Sequence, residues 1–92
     1  MQRRTKSQAE LDAAIAKGNE AALLLSHPTL TGILEQMETE ATQKMVESAK
    51  LEDRETAWHK VQAVRAFKQE LSTISTSGRI AKAAKDQLKG NE

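Results

Sequence analysis

Glu55 and His59 stand four residues apart, a spacing that puts two potential metal ligands on one face of a helix. Zinc asks for three or four protein ligands, and His27 is the only other histidine in the chain. An outward Glu–His pair on a solvated helix accounts for the same residues, so no metal or cofactor is expected. Carboxylates are plentiful (Glu35, Glu38, Glu40, Glu47, Glu52, Asp53 and Glu55), but they fall on the polar faces of amphipathic segments. Acid–base work needs burial and orienting neighbours. No serine sits in a nucleophile-elbow sequence and no glycine-rich phosphate loop is present. The residues point away from an enzyme.

Phosphate is the second chemistry to weigh. Arg79, Lys82, Lys85 and Lys89 recur at three, three and four, which makes one basic stripe on a helix, and Arg3, Arg4 and Lys6 could join it. Against this, Asp86 interrupts the stripe, no aromatic residue is interleaved, and the net charge is only +1. Lysines near a helix C-terminus also complement its dipole. These seven side chains are candidates for contact with phosphate or an acidic partner rather than a sequence-reading element.

The third feature is apolar surplus. Leu23, Leu24 and Leu25 are consecutive and cannot all face one core, and Leu30, Ile33 and Leu34 follow closely. A hairpin would expose part of this set, which marks an interface; a wider three-helix core would absorb it. Leu23, Leu24, Leu30, Ile33 and Trp58 are the candidate protein contacts. Composition agrees: of 92 residues 38% are apolar and 2% aromatic, with no cysteine. So thin a core, without disulfides or thiolate metal sites, calls for a partner or self-association.

The elements that carry these residues read as all-α. Residues 1–6 form a basic arm, and Ser7 with Glu10 makes a capping box before a helix over residues 8–25. Leu11, Ile15, Gly18, Ala22 and Leu25 line its inner face, Gly18 serving close helix approach. Pro28 ends that helix and opens a second over about 28–49, with Leu30, Ile33, Leu34, Met37, Ala41 and Met45 inward. After a turn with Asp53 as N-cap, a third helix spans about 53–77, its stripe being Ala57, Val61, Val64, Phe67, Leu71 and Ile74, with Trp58 on the flank. Gly78 reads as its terminator, followed by a short basic helix over about 79–89 that groups Ile80, Ala84 and Leu88. The second and third helices form an antiparallel hairpin, and residues 1–92 make one small domain. No apolar run approaches the roughly 18 residues of a membrane span.

The order AALLLSHPTL, ILEQME, EDRETAW, VRAFKQEL and SGRIA resembles a class of small helical proteins encoded among the head, portal and packaging genes of tailed bacteriophages. The likeness runs from about residue 21 to 84 and rests on spacing and composition. It implies a non-enzymatic assembly role in the virion or host cytoplasm, through protein contacts as a homo-oligomer or docked on a larger particle, and it carries over no ligand residues. The other expectation is a small binding module, either a nucleic-acid accessory factor or an inhibitor of a host protein.

Overall fold

The computed structural model describes residues 7–90. It contains three helices, α1 (Gln8–Leu25), α2 (Pro28–Glu47) and α3 (Leu51–Gly90). Ser7 opens α1 as expected. Its hydroxyl oxygen accepts from the Glu10 amide at 3.2 Å and its hydroxyl donates to the Glu10 carboxylate at 3.3 Å, so the box closes between side chains rather than back onto the Ser7 amide. The α1–α2 break is set by Pro28 at the start of α2, which has no amide to extend the ladder of α1. Ser26 donates its hydroxyl to the Leu23 carbonyl and its amide to that of Ala22, and the Thr31 hydroxyl donates to the His27 carbonyl at 3.0 Å.

α3 is one helix of 40 residues, and the residues expected as a separate C-terminal helix form its last turns. Gly78 does not end it. Its partner is Gly18: a Cβ built on Gly18 would lie 2.6 Å from the Gly78 Cα, and one built on Gly78 would lie 2.7 Å from the Gly18 Cα. The two backbones touch, which only paired glycines permit. α3 also begins earlier than expected, at Leu51, so Asp53 lies in its first turn rather than at the cap. There its charge complements the dipole.

α1 and α2 are not stacked on one another. They lie end to end, antiparallel to α3, and meet only at their junction. α1 covers the C-terminal half of α3, with Gly18 against Gly78 and Asp12 paired to Lys85. α2 covers the N-terminal half, with Glu38 paired to Arg65 and Lys68. The molecule is thus a hairpin with one arm broken, a plate of 65 × 35 × 15 Å. Its radius of gyration is 19.1 Å, against about 12 Å for a compact domain of this length.

The seam between the arms buries Leu11, Ala21, Leu34, Ala41, Ala57, Val61, Val64, Leu71 and Ala81. Four of the nine are alanine, so the helices approach closely while removing little apolar area from water. On α3 the seam runs Ala57, Val61, Val64, Lys68, Leu71, Ser75 and Gly78, at alternating four and three, the 3.5-residue repeat of a coiled coil. Phe67 and Ile74 were expected in that seam. Phe67 instead stands beside it, 47% exposed, and Ile74 is half-buried. The polar neighbours hold the seam for physical reasons. The Lys68 stem covers apolar surface while its amine reaches Glu38. Ser75 is short, and α1 is drawn close one turn on at Gly78. The same phase shift puts Ala21 inside and Ala22 outside, and buries Ala81 while Ile80 and Leu88 remain exposed.

Candidate interaction surface

Because the fold is a single layer of helices, each helix presents two flanks, and the ion pairs establish which flank is which. Arg65 Nε donates to Glu38 Oε1 at 2.7 Å and Lys68 Nζ to Glu38 Oε2 at 3.2 Å. Counted by sevens along α3, Arg65 shares a row with Trp58, Ser72 and Arg79. Phe67 shares another with Lys60, Ile74, Ala81 and Leu88. Beside α2 the seam row runs between them, so Arg65 and Phe67 lie on opposite sides of the seam; beside α1 the Phe67 row enters the seam at Ala81. On α2 the seam residues Leu34 and Ala41 likewise separate Glu38 from Ile33 and Met37. Glu38 points to the Arg65 side; Ile33 and Met37 therefore look to the Phe67 side.

A groove further along the plate carries the same alignment. Glu40 and Lys44, seven residues after Ile33 and Met37, line it together with Thr56 and Lys60, seven residues before Ala63 and Phe67. The plate is thus two-faced. One face holds Leu51, Trp58, Arg65, Glu38 and Arg79, with Leu51 and Trp58 both exposed. The other holds Ile33, Met37, Ala63 and Phe67, of which Ile33 is 50% and Phe67 47% exposed; further along α3 the same row enters the seam with α1, where Ile74 is half-buried and Ala81 buried.

The five residues expected at a protein interface are divided by this geometry. Ile33 belongs to the Phe67 face and Trp58 to the Arg65 face, where its ring meets that of His59 edge-on at 5.1 Å between centroids. Leu23 and Leu24 are exposed. Leu30 is half-buried and lines a hollow at the junction with Leu24, Leu25, Leu34 and Leu71. A wider three-helix core is therefore not what takes up the leucines. Sequence reasoning missed Phe67 and Leu88 as surface residues because it followed hydrophobicity inward.

The basic stripe is also divided. Lys85 is half-buried and bonded across the seam to Asp12 at 2.5 Å, while Arg79, Lys82 and Lys89 are exposed. Arg3, Arg4 and Lys6 lie outside the described residues. Glu55 and His59 are exposed. Among the described residues no group of three or more His, Cys, Asp or Glu is placed to hold a metal ion, and no helix is long and apolar enough to cross a membrane.

Hydrogen bonds from Arg65 first, then Lys68, hold the Glu38 carboxyl below the usual carboxylate range. A carboxyl whose folded value lies below its unfolded one adds stability that is present above the ordinary carboxylate range. That stability is lost as pH falls through the folded value. The midpoint of thermal unfolding, followed by circular dichroism, should therefore drop on acidification from about pH 6 to about pH 3. Glu38→Gln should remove part of that drop; an identical pH profile in the variant would show that the pair does not couple α2 to α3.

The chain matches no family model, no curated protein and no solved structure in comparisons with known proteins.

Proposed function

We propose that this is a non-enzymatic helical assembly protein that acts through protein–protein contacts. The observation that carries the reading is the single-layer plate with large apolar side chains left exposed on both faces, Ile33 and Phe67 on one and Leu51 and Trp58 on the other. Domains close their cores with two packed layers, and here the second layer is missing from the chain's described residues. The resemblance to small helical proteins of tailed-phage head, portal and packaging genes gives the setting: a component of a virion or of its assembly, working as a homo-oligomer or docked on a larger particle. The binding-module reading is favoured by one observation, the exposure of Arg79, Lys82 and Lys89. Engagement of Lys85 with Asp12 weakens it.

The test is the concentration dependence of folding. A domain that completes its core by assembly melts at a midpoint that rises with concentration, and light scattering should give a mass above that of one chain. A monomer with a cooperative, concentration-independent melt would count against the assembly reading. Duplex DNA retained at low salt, and lost on Arg79→Glu with Lys82→Glu, would favour the binding module instead.

A further inference from the structure

We infer that α1 is a hinged strap that swings off α3 about Ser26–His27 while α2 and α3 stay closed on each other. The joint is the first reason. Pro28 has no amide to carry the ladder of α1 into α2. The backbone bonds at the joint each stay on one side of it: the Ser26 amide donates to Ala22 and the His27 amide to Leu24, whereas the Thr31 amide donates to the His27 carbonyl. Beyond the joint, α1 and α2 pack on α3 and not along one another. A change of backbone angles at Ser26–His27 therefore parts α1 from α3 without breaking a bond of α2.

Uneven attachment is the second reason. Of the buried apolar side chains, Leu34, Ala41, Ala57, Val61 and Val64 lie between α2 and α3, Leu11, Ala21 and Ala81 lie between α1 and α3, and Leu71 stands at the junction. Alanine removes little apolar area from water, and the Gly18–Gly78 approach brings backbones together without adding a side chain. Polar ties follow the same order. Glu38 of α2 accepts from both Arg65 and Lys68, while among the described residues one ion pair, Asp12–Lys85, links α1 to α3. An exposed pair of that kind adds little. α2 is also tethered at each end, by the joint and by the short turn into α3.

Opening uncovers Gly78 and Ala81 and releases the Lys85 amine from Asp12. Lys85 stands three residues from Lys82 and four from Lys89, both exposed. With α1 seated, one cation is held out of that basic set; with α1 away, the set is whole.

The chain has no cysteine, so single introduced thiols report the opening of each arm. Ala81→Cys places one in the α1 seam of the full chain and Ala57→Cys one in the α2 seam, and both alanines are buried. Under native conditions the Ala81→Cys thiol should react with Ellman's reagent at least about tenfold faster than the Ala57→Cys thiol, through local opening. Its rate should change little in low urea, because parting one arm exposes little surface, and adding Glu38→Gln should leave it unaltered. The Ala57→Cys rate should climb with urea and rise about two- to fivefold with Glu38→Gln. Ala21→Cys and Ala41→Cys, on the other sides of the same two seams, replace any variant that loses helix content by circular dichroism. Equal rates that rise together with urea and with Glu38→Gln would show one cooperative unit and overturn the strap. A faster Ala57→Cys thiol would overturn it too, by making α2 the arm that opens.

Discussion

Gly18→Ala should destabilise the fold by roughly 1–3 kcal/mol through overpacking, whereas Gly32→Ala should stabilise it by roughly 0.5–1 kcal/mol. Both positions are helical, and alanine is the better helix former at each, so local propensity gives the two substitutions the same sign. Tertiary contact separates them. A Cβ on Gly18 would sit 2.6 Å from the Gly78 Cα and 3.3 Å from the Ile74 carbonyl oxygen, whereas a Cβ on Gly32 meets nothing within 4 Å. The obstructing atoms at Gly18 are backbone, so no side chain can rotate away. Relief requires α1 and α3 to separate, which opens the seam at Ala21 and Leu11 on either side. Gly78→Ala should behave like Gly18→Ala, since its Cβ would stand 3.0 Å from the Ala14 carbonyl oxygen. Urea melts of the three single variants measure this, and a Gly18→Ala protein more stable than wild type would contradict the crossing.

The glycine pair also shows where the sequence was informative and where it was not. Local signals were legible: the Ser7 cap and Pro28 place α1 and the start of α2 where the structure has them, because capping and ring closure act within one turn. Gly18 was legible as a close-approach residue for the same reason, being an expensive choice in mid-helix with no turn nearby. Its partner was not. Ser72–Gly78 has weak helical propensity, so read alone it terminates a helix. In the fold, a contact 60 residues away in sequence makes Gly78 the residue that continuing α3 past α1 requires. The phase of the α3 seam was hidden because Phe67 and Lys68 both lie about three turns on from Ala57 and hydrophobicity alone favours Phe67. In the fold Lys68 takes the inward position, its stem covering the seam while its amine reaches Glu38 across it.

The same displacement reverses the ranking of the two largest truncations. Leu71→Ala should cost roughly 2–5 kcal/mol, more than Phe67→Ala in the isolated chain at about 1–2 kcal/mol, although phenylalanine is the larger side chain. Leu71 is buried at the junction, where it lines the hollow shared by Leu25 of α1 and by Leu30 and Leu34 of α2. α1 and α2 touch only where they meet, so α3 is the element that holds both, and emptying this point loosens both attachments. A small domain has about 5–15 kcal/mol in all, and a chain with four alanines among its nine buried core residues belongs at the lower end. Leu71→Ala should therefore leave a substantial unfolded fraction at 37 °C, visible as lost helical dichroism. Phe67 is half-exposed in the single chain, so the effect of its removal depends on what covers it. If a second copy does, the loss in melting midpoint on Phe67→Ala grows with protein concentration, because the wild type gains from assembly and the variant does not. The loss on Leu71→Ala should persist at concentrations too low for assembly, since its cause lies inside one chain. Melts of both variants over a wide concentration range separate the two. A concentration-independent loss for Phe67→Ala, equal to that for Leu71→Ala, would return Phe67 to the core and remove the open face from the argument.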